Sequence, residues 1–146
     1  MKKITVLFAS ALVLGLSLAS CNKDDDSSSS SSSVGIEGKW KYSKEGAIVS
    51  GQEVLTDYVN EAPECGNDYI EVLAGGTAKD YYFYNDGGCV SDVATGTWSK
   101  SGNTMTVTFD GVTENATILT LNSTTLKVKY TDNESGMEML QVYTRM

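Results

Sequence analysis

Residues 104–131, TMTVTFDGVTENATILTLNSTTLKVKYT, decide the fold. Met105, Val107 and Phe109 alternate with Thr104, Thr106 and Thr108, and Leu126, Val128 and Tyr130 alternate with Lys127, Lys129 and Thr131. A period of two places one set on a dry face and the other on a wet face, which is the pattern of strands with one side buried. Asp110 and Gly111 fall between two such runs, and both central positions of a type I′ hairpin turn require positive φ, which these residue types tolerate. The stretch is therefore a β-meander.

Working outward, the same short alternating runs, punctuated by Gly, Asn and Asp, extend from Gly38 to the C-terminus. They predict eight strands, near residues 38–45, 68–73, 78–84, 94–100, 103–109, 112–121, 125–131 and 137–145. From the second strand onward the links are too short for a crossover helix, so the neighbours are antiparallel. Eight strands in up-and-down order close naturally into an all-β barrel, which removes the exposed edges of an open sheet. Only the first connection is long. There Ser50 and Glu53 have the spacing of a capping box, and Val54, Leu55, Tyr58 and Val59 recur at helical spacing, which predicts a short helix over one mouth. Such a helix would act either as a lid on a cavity or as a plug completing the core.

The N-terminus reads differently. Lys2 and Lys3 precede an apolar run from Ile4 to Ala19 that is shorter than the ~20 residues a membrane span needs, so residues 1–20 are a signal peptide. Its last residues with the next one, Leu18, Ala19, Ser20 and Cys21, resemble the lipobox of bacterial lipoproteins, whose cysteine is acylated and becomes the new N-terminus. Asn22, Lys23 and Asp24 to Asp26 resemble the signal that sends Bacteroidota lipoproteins to the cell surface. Ser27 to Ser33 form a spacer that cannot pack a core. Residues 21–35 are thus a lipidated tether to the outer membrane, and residues 36–146 are the folded domain. From Cys21 to Ser33 the tether would span ~20 Å as a random coil.

Loss of Lys2 and Lys3 from the 11 basic residues leaves 9 against 19 acidic ones, a mature net charge of −10. A nucleic-acid partner is excluded by this balance, because a phosphate backbone needs a basic footprint. With Cys21 committed to lipid, Cys65 and Cys89 are an even pair in an oxidising compartment, where such pairs bridge, although two free thiols remain open. The chain has no histidine, so no Ser-His-Asp or Cys-His catalytic set can be built and no His-rich zinc site exists. A carboxylate-only enzyme is compatible with composition, but the acids cluster in turns and linkers, where solvation explains them. The run from Asn85 to Gly88 reads as a turn and not as a Ca²⁺ loop. No cofactor is implied.

Gly38, Lys39 and Trp40 resemble the Gly-x-Trp that opens the first lipocalin strand. Arg145 is placed like the arginine which that family packs across the tryptophan to close the barrel. The strand YYFYNDGG, the GTWS at residue 96 and the run NSTTLKV are similar to lipocalin-like domains of Bacteroidota lipoproteins, and the resemblance covers residues 36–145. It implies a small hydrophobic ligand inside the barrel. Candidate lining residues are then the aromatic Tyr42, Phe83, Trp98, Phe109 and Tyr130. Met105, Val107, Leu126 and Val128 would supply the aliphatic wall. The alternative is a solid barrel whose aromatic side chains fill the interior. Its loops would then bind a protein or glycan, or inhibit a protease.

Overall fold

The computed structural model describes residues 34–146; the signal peptide read at residues 1–20, the acyl acceptor Cys21 and the tether up to residue 33 lie outside the described residues. Nine strands follow one another: β1 (Gly38–Val49), β2 (Gln52–Asp57), β3 (Tyr69–Leu73), β4 (Thr77–Asn85), β5 (Cys89–Ser101), β6 (Thr104–Phe109), β7 (Val112–Leu121), β8 (Thr125–Thr131) and β9 (Glu138–Arg145). Every pairing is antiparallel. β1 pairs with β3 on one edge and with β9 on the other, so β1 and β3 to β9 close an eight-stranded up-and-down barrel.

β2 is the ninth strand, and it corrects the helix expected after Ser50. Ser50 and Gly51 both adopt positive φ, 51° and 79°, and make a two-residue hairpin turn in place of a helix cap. Lys44–Val49 of β1 then pairs with Gln52–Asp57. Glu53 does not reach back to Ser50; its carboxylate pairs with Lys127 of β8. Val54 is half exposed while Leu55 is partly covered, a strand alternation that the helical spacing of the apolar residues concealed. Gly46 allows the hairpin to coil tightly, since a Cβ there would lie 1.9 Å from the Val54 carbonyl oxygen.

The meander itself matches the sequence pattern closely. Asp110 and Gly111, at φ 50° and 80°, turn β6 into β7 with Phe109 opposite Val112. The wet faces carry cross-strand pairs, Thr106 Oγ1 with Asn115 Oδ1 at 2.7 Å and Thr108 with Thr113 at 2.8 Å. The dry faces meet in one core of Ile36, Trp40, Val72, Met105, Ile118, Leu126, Val128 and Tyr143. Burying a side chain of this size contributes ~1.5–3 kcal/mol, which is why a one-residue slip in these strands is strongly disfavoured.

The two ends of the barrel differ. At one end lie the entering segment before β1, the β3–β4, β5–β6 and β7–β8 turns, and the C-terminus. At the other, the mouth, lie the remaining hairpin turns and the segment 58–68 that joins β2 to β3. Among the described residues no helix is long and apolar enough to cross a membrane.

Candidate functional site

The core does not fill the barrel. Above it lies a partly enclosed cavity of about 210 Å³, lined by one residue or more from β1, β3, β4, β6, β7, β8 and β9. Tyr42, Met105, Val107, Phe109, Leu126, Val128 and Tyr130 line it, as their strand faces require, together with Ile70, Ala116 and Tyr143. Two of the aromatic candidates lie elsewhere. Trp98 sits towards the closed end, its indole N–H donating to the Leu73 carbonyl at 2.8 Å. Phe83 packs beside Tyr69, with ring centroids 6.3 Å apart, and against Gly66.

The reason for the Phe83 placement is a single residue of register. A turn centred between Gly75 and Gly76 would set Ile70 opposite Tyr81. The chain instead uses the three residues 74–76, so that Leu73 faces Thr77 and Ile70 faces Asp80. A shift of one reverses the faces of a strand. Tyr81 and Phe83 therefore join Tyr69 in an aromatic ladder on the other side of the sheet, Tyr69 and Tyr81 stacking at 4.3 Å. Asp80 takes the inner position.

Asp80 gives the cavity its chemistry. The Tyr42 hydroxyl donates to it, 3.2 Å from each carboxylate oxygen. Burial raises its carboxyl above the usual aspartate range; the Tyr42 hydrogen bond opposes this, and the neighbouring charge of Asp68 adds to it. Burial likewise raises the Tyr42 phenol, with Tyr143 and Asp80 adding to the shift, so the phenol stays protonated and remains a donor. Glu114 also lines the cavity, at its exposed side, where its charge helps raise the Tyr130 phenol. Gln141, only 8% exposed, donates its amide nitrogen to the Lys44 carbonyl at 3.0 Å. Its side-chain oxygen has no donor among the described residues.

Asp68, 2% exposed, has a structural task. It accepts from the Phe83 backbone N–H at 2.7 Å and the Tyr58 hydroxyl at 2.9 Å, fastening the segment 58–68 to β4. Cys65 and Cys89 are joined in a disulfide that fixes the same segment to the start of β5. Tyr82 donates to Glu61 at 2.5 Å, and Asn85 donates to Glu64 at 3.1 Å. The mouth is thus bordered by a fastened segment and not by a helical lid.

At the closed end Trp40 is fully buried and donates its indole N–H to the Ile36 carbonyl at 2.7 Å. The Arg145 guanidinium lies 4.0 Å from the Trp40 ring centroid and donates to the Glu37 and Gly35 carbonyls at 2.8 and 2.7 Å. Gly38 makes room for it: a Cβ there would stand 2.7 Å from Arg145 Nη1, at a φ of 134°. Gly38, Trp40 and Arg145 are one device, in which the ring is covered by a cation held by two carbonyls. Among the described residues no group of three or more His, Cys, Asp or Glu is placed to hold a metal ion.

A closed, eight-stranded antiparallel barrel with an internal cavity and this end closure defines a lipocalin-like barrel. Residues 36–128 match the lipocalin-like domain family, and the chain belongs to that family. A lipocalin-like protein from Bacteroides uniformis superposes with a TM-score of 0.53 at 12% identity, covering 76% of this chain and 98% of its own. A Bacteroides eggerthii protein superposes with a TM-score of 0.51, also at 12% identity, covering 75% and 98%. These two share the fold with this chain. No curated protein sequence matches it. The lipocalin fold is typically that of binding proteins and not of enzymes.

Proposed function

We propose that the protein is a lipid-anchored outer-membrane lipoprotein, displayed at the cell surface, that binds a small and largely apolar ligand inside its barrel without catalysis. The observation that carries the binding reading is the cavity of about 210 Å³ walled by Ile70, Met105, Val107, Leu126 and Val128. A dry apolar cavity of about 150 Å³ suffices to hold benzene, so this one is large enough for a single ring with a short substituent. A loop-binding module with a solid interior would leave no such space. Anchoring and display are supported by the lipobox-like Leu18 to Cys21 and by the acidic run that follows it.

Saturating the purified protein with benzene tests the binding reading. Occupancy of the folded state raises the thermal midpoint by mass action. The rise should vanish in Val128→Phe, which fills the space. An unchanged midpoint in the parent protein would contradict the reading.

A further inference from the structure

We propose that the cavity selects a cationic ligand: a small aromatic or short alkyl ammonium whose nitrogen sits at Asp80 while its apolar part lies along Met105, Leu126 and Val128. This rests on the ligand-cavity reading above and adds the charge of the occupant. The lining contains two carboxylates, Asp80 and Glu114, and no lysine or arginine. Lys44, Lys127 and Lys129 of β1 and β8 are paired outside the lining, with Asp57, Glu53 and Glu138. The acceptor side is also unsaturated. A carboxylate offers about four lone-pair sites, and Asp80 accepts from the Tyr42 hydroxyl and the Tyr81 backbone N–H. Gln141, whose nitrogen is spent on Lys44, presents an oxygen that meets no donor among the described residues.

Three tyrosines, Tyr42, Tyr130 and Tyr143, also line the cavity, and aromatic rings attract a cation through their quadrupole. An ammonium would supply a further, charged donor to Asp80 and would relieve the cost of burying the carboxylate. A carboxylate ligand would instead add an anion beside Asp80, with Asp68 close enough to act on it already. A neutral alcohol could satisfy one acceptor but none of the charge.

Three probes of nearly equal shape separate the possibilities: benzylammonium, benzyl alcohol and benzoate, titrated into the whole protein by calorimetry at pH 7 and 0.15 M salt, where surface charges are largely screened. The expected order is benzylammonium at least tenfold tighter than benzyl alcohol, with benzoate weakest. In Asp80→Asn that ratio should fall at least tenfold, and in Glu114→Gln by less, because Glu114 is solvated. Equal affinity for the ammonium and the alcohol, or a preference for benzoate, would overturn charge selection and leave the cavity reading standing. Failure of all three to bind would overturn both.

Discussion

The Tyr42 hydroxyl stands 3.2 Å from both carboxylate oxygens of Asp80 inside the barrel, so the most buried acid of the cavity is held by a neutral donor and not by a cation. A hydrogen bond of this kind offsets only part of the desolvation of a charge. The net effect is a carboxyl whose ionisation is disfavoured in the folded state.

The stability of the protein should depend on pH accordingly. Because the folded state holds the Asp80 proton more tightly than the unfolded chain, this contribution is fully present below the ordinary aspartate value of 3.8 and is lost as pH rises through the raised folded value. Asp80→Asn removes the effect. Urea unfolding should show the parent losing stability relative to Asp80→Asn between pH 4 and pH 7. The variant should be the more stable at pH 7, on the order of 1 kcal/mol. Parallel pH profiles would contradict the assignment.

The closed end makes a second prediction. Arg145→Ala removes the cation over Trp40 and the donors to the Glu37 and Gly35 carbonyls, and should cost ~2–3 kcal/mol in urea. Arg145→Lys should recover little, since an ammonium lacks the planar fork that spans both carbonyls. Gly38→Ala should also destabilise, because its methyl would strike Arg145 Nη1 in a backbone region that favours glycine. Full rescue by lysine would show that charge alone closes the barrel.

At the mouth, the disulfide closes a loop of sequence separation 24. Paired replacement of Cys65 and Cys89 by alanine should cost ~3 kcal/mol in equilibrium unfolding. It should also expose the segment 58–68 to limited proteolysis before the barrel strands. Asp68→Ala should act on the same segment, because the Phe83 N–H and the Tyr58 hydroxyl lose their shared acceptor; ~1–3 kcal/mol is expected for the orphaned donor. Cleavage confined to the β6–β8 turns would contradict this order of opening.

Anchoring is tested separately. Cys21→Ala should move the protein from the membrane to the soluble fraction, since multiple acyl chains at ~0.8 kcal/mol per buried CH₂ are what hold a tethered domain. Continued membrane association of the variant would argue against acylation at Cys21. Protease added to intact cells then decides display: digestion of the parent is expected, and protection would place it on the inner side.

Legibility followed the contrast between faces. In β6 and β8, threonine or lysine alternates with Met105, Val107, Leu126 and Val128, so faces, turns and the greater part of the cavity wall can be read directly. β4 lacks that contrast. Ala78, Asp80 and Tyr82 on one face and Lys79, Tyr81 and Phe83 on the other are equally mixed, so only the β3–β4 register decides, and two adjacent glycines permit turns that differ by one residue. The sequence alone therefore places Phe83 inside, where the observed register puts Asp80. Glu114 and Gln141 escaped for a related reason, since a polar residue at an inward position looks like a solvent-facing one. The one available signal was parity, because Gln141 shares its face with Tyr143 and Glu114 with Ala116. β2 reads as a helix because Val54, Leu55 and Tyr58 recur at helical spacing, and the Ser50–Gly51 turn that instead opens the strand depends on positive φ at a serine.

The most direct test of the central claim is native mass spectrometry of the protein purified from its own cell envelope, compared before and after extraction with organic solvent. An occupied cavity predicts an adduct of one defined mass, small enough for about 210 Å³, that the solvent removes. A bare protein, unchanged by extraction and unable to take up benzene, would contradict the account.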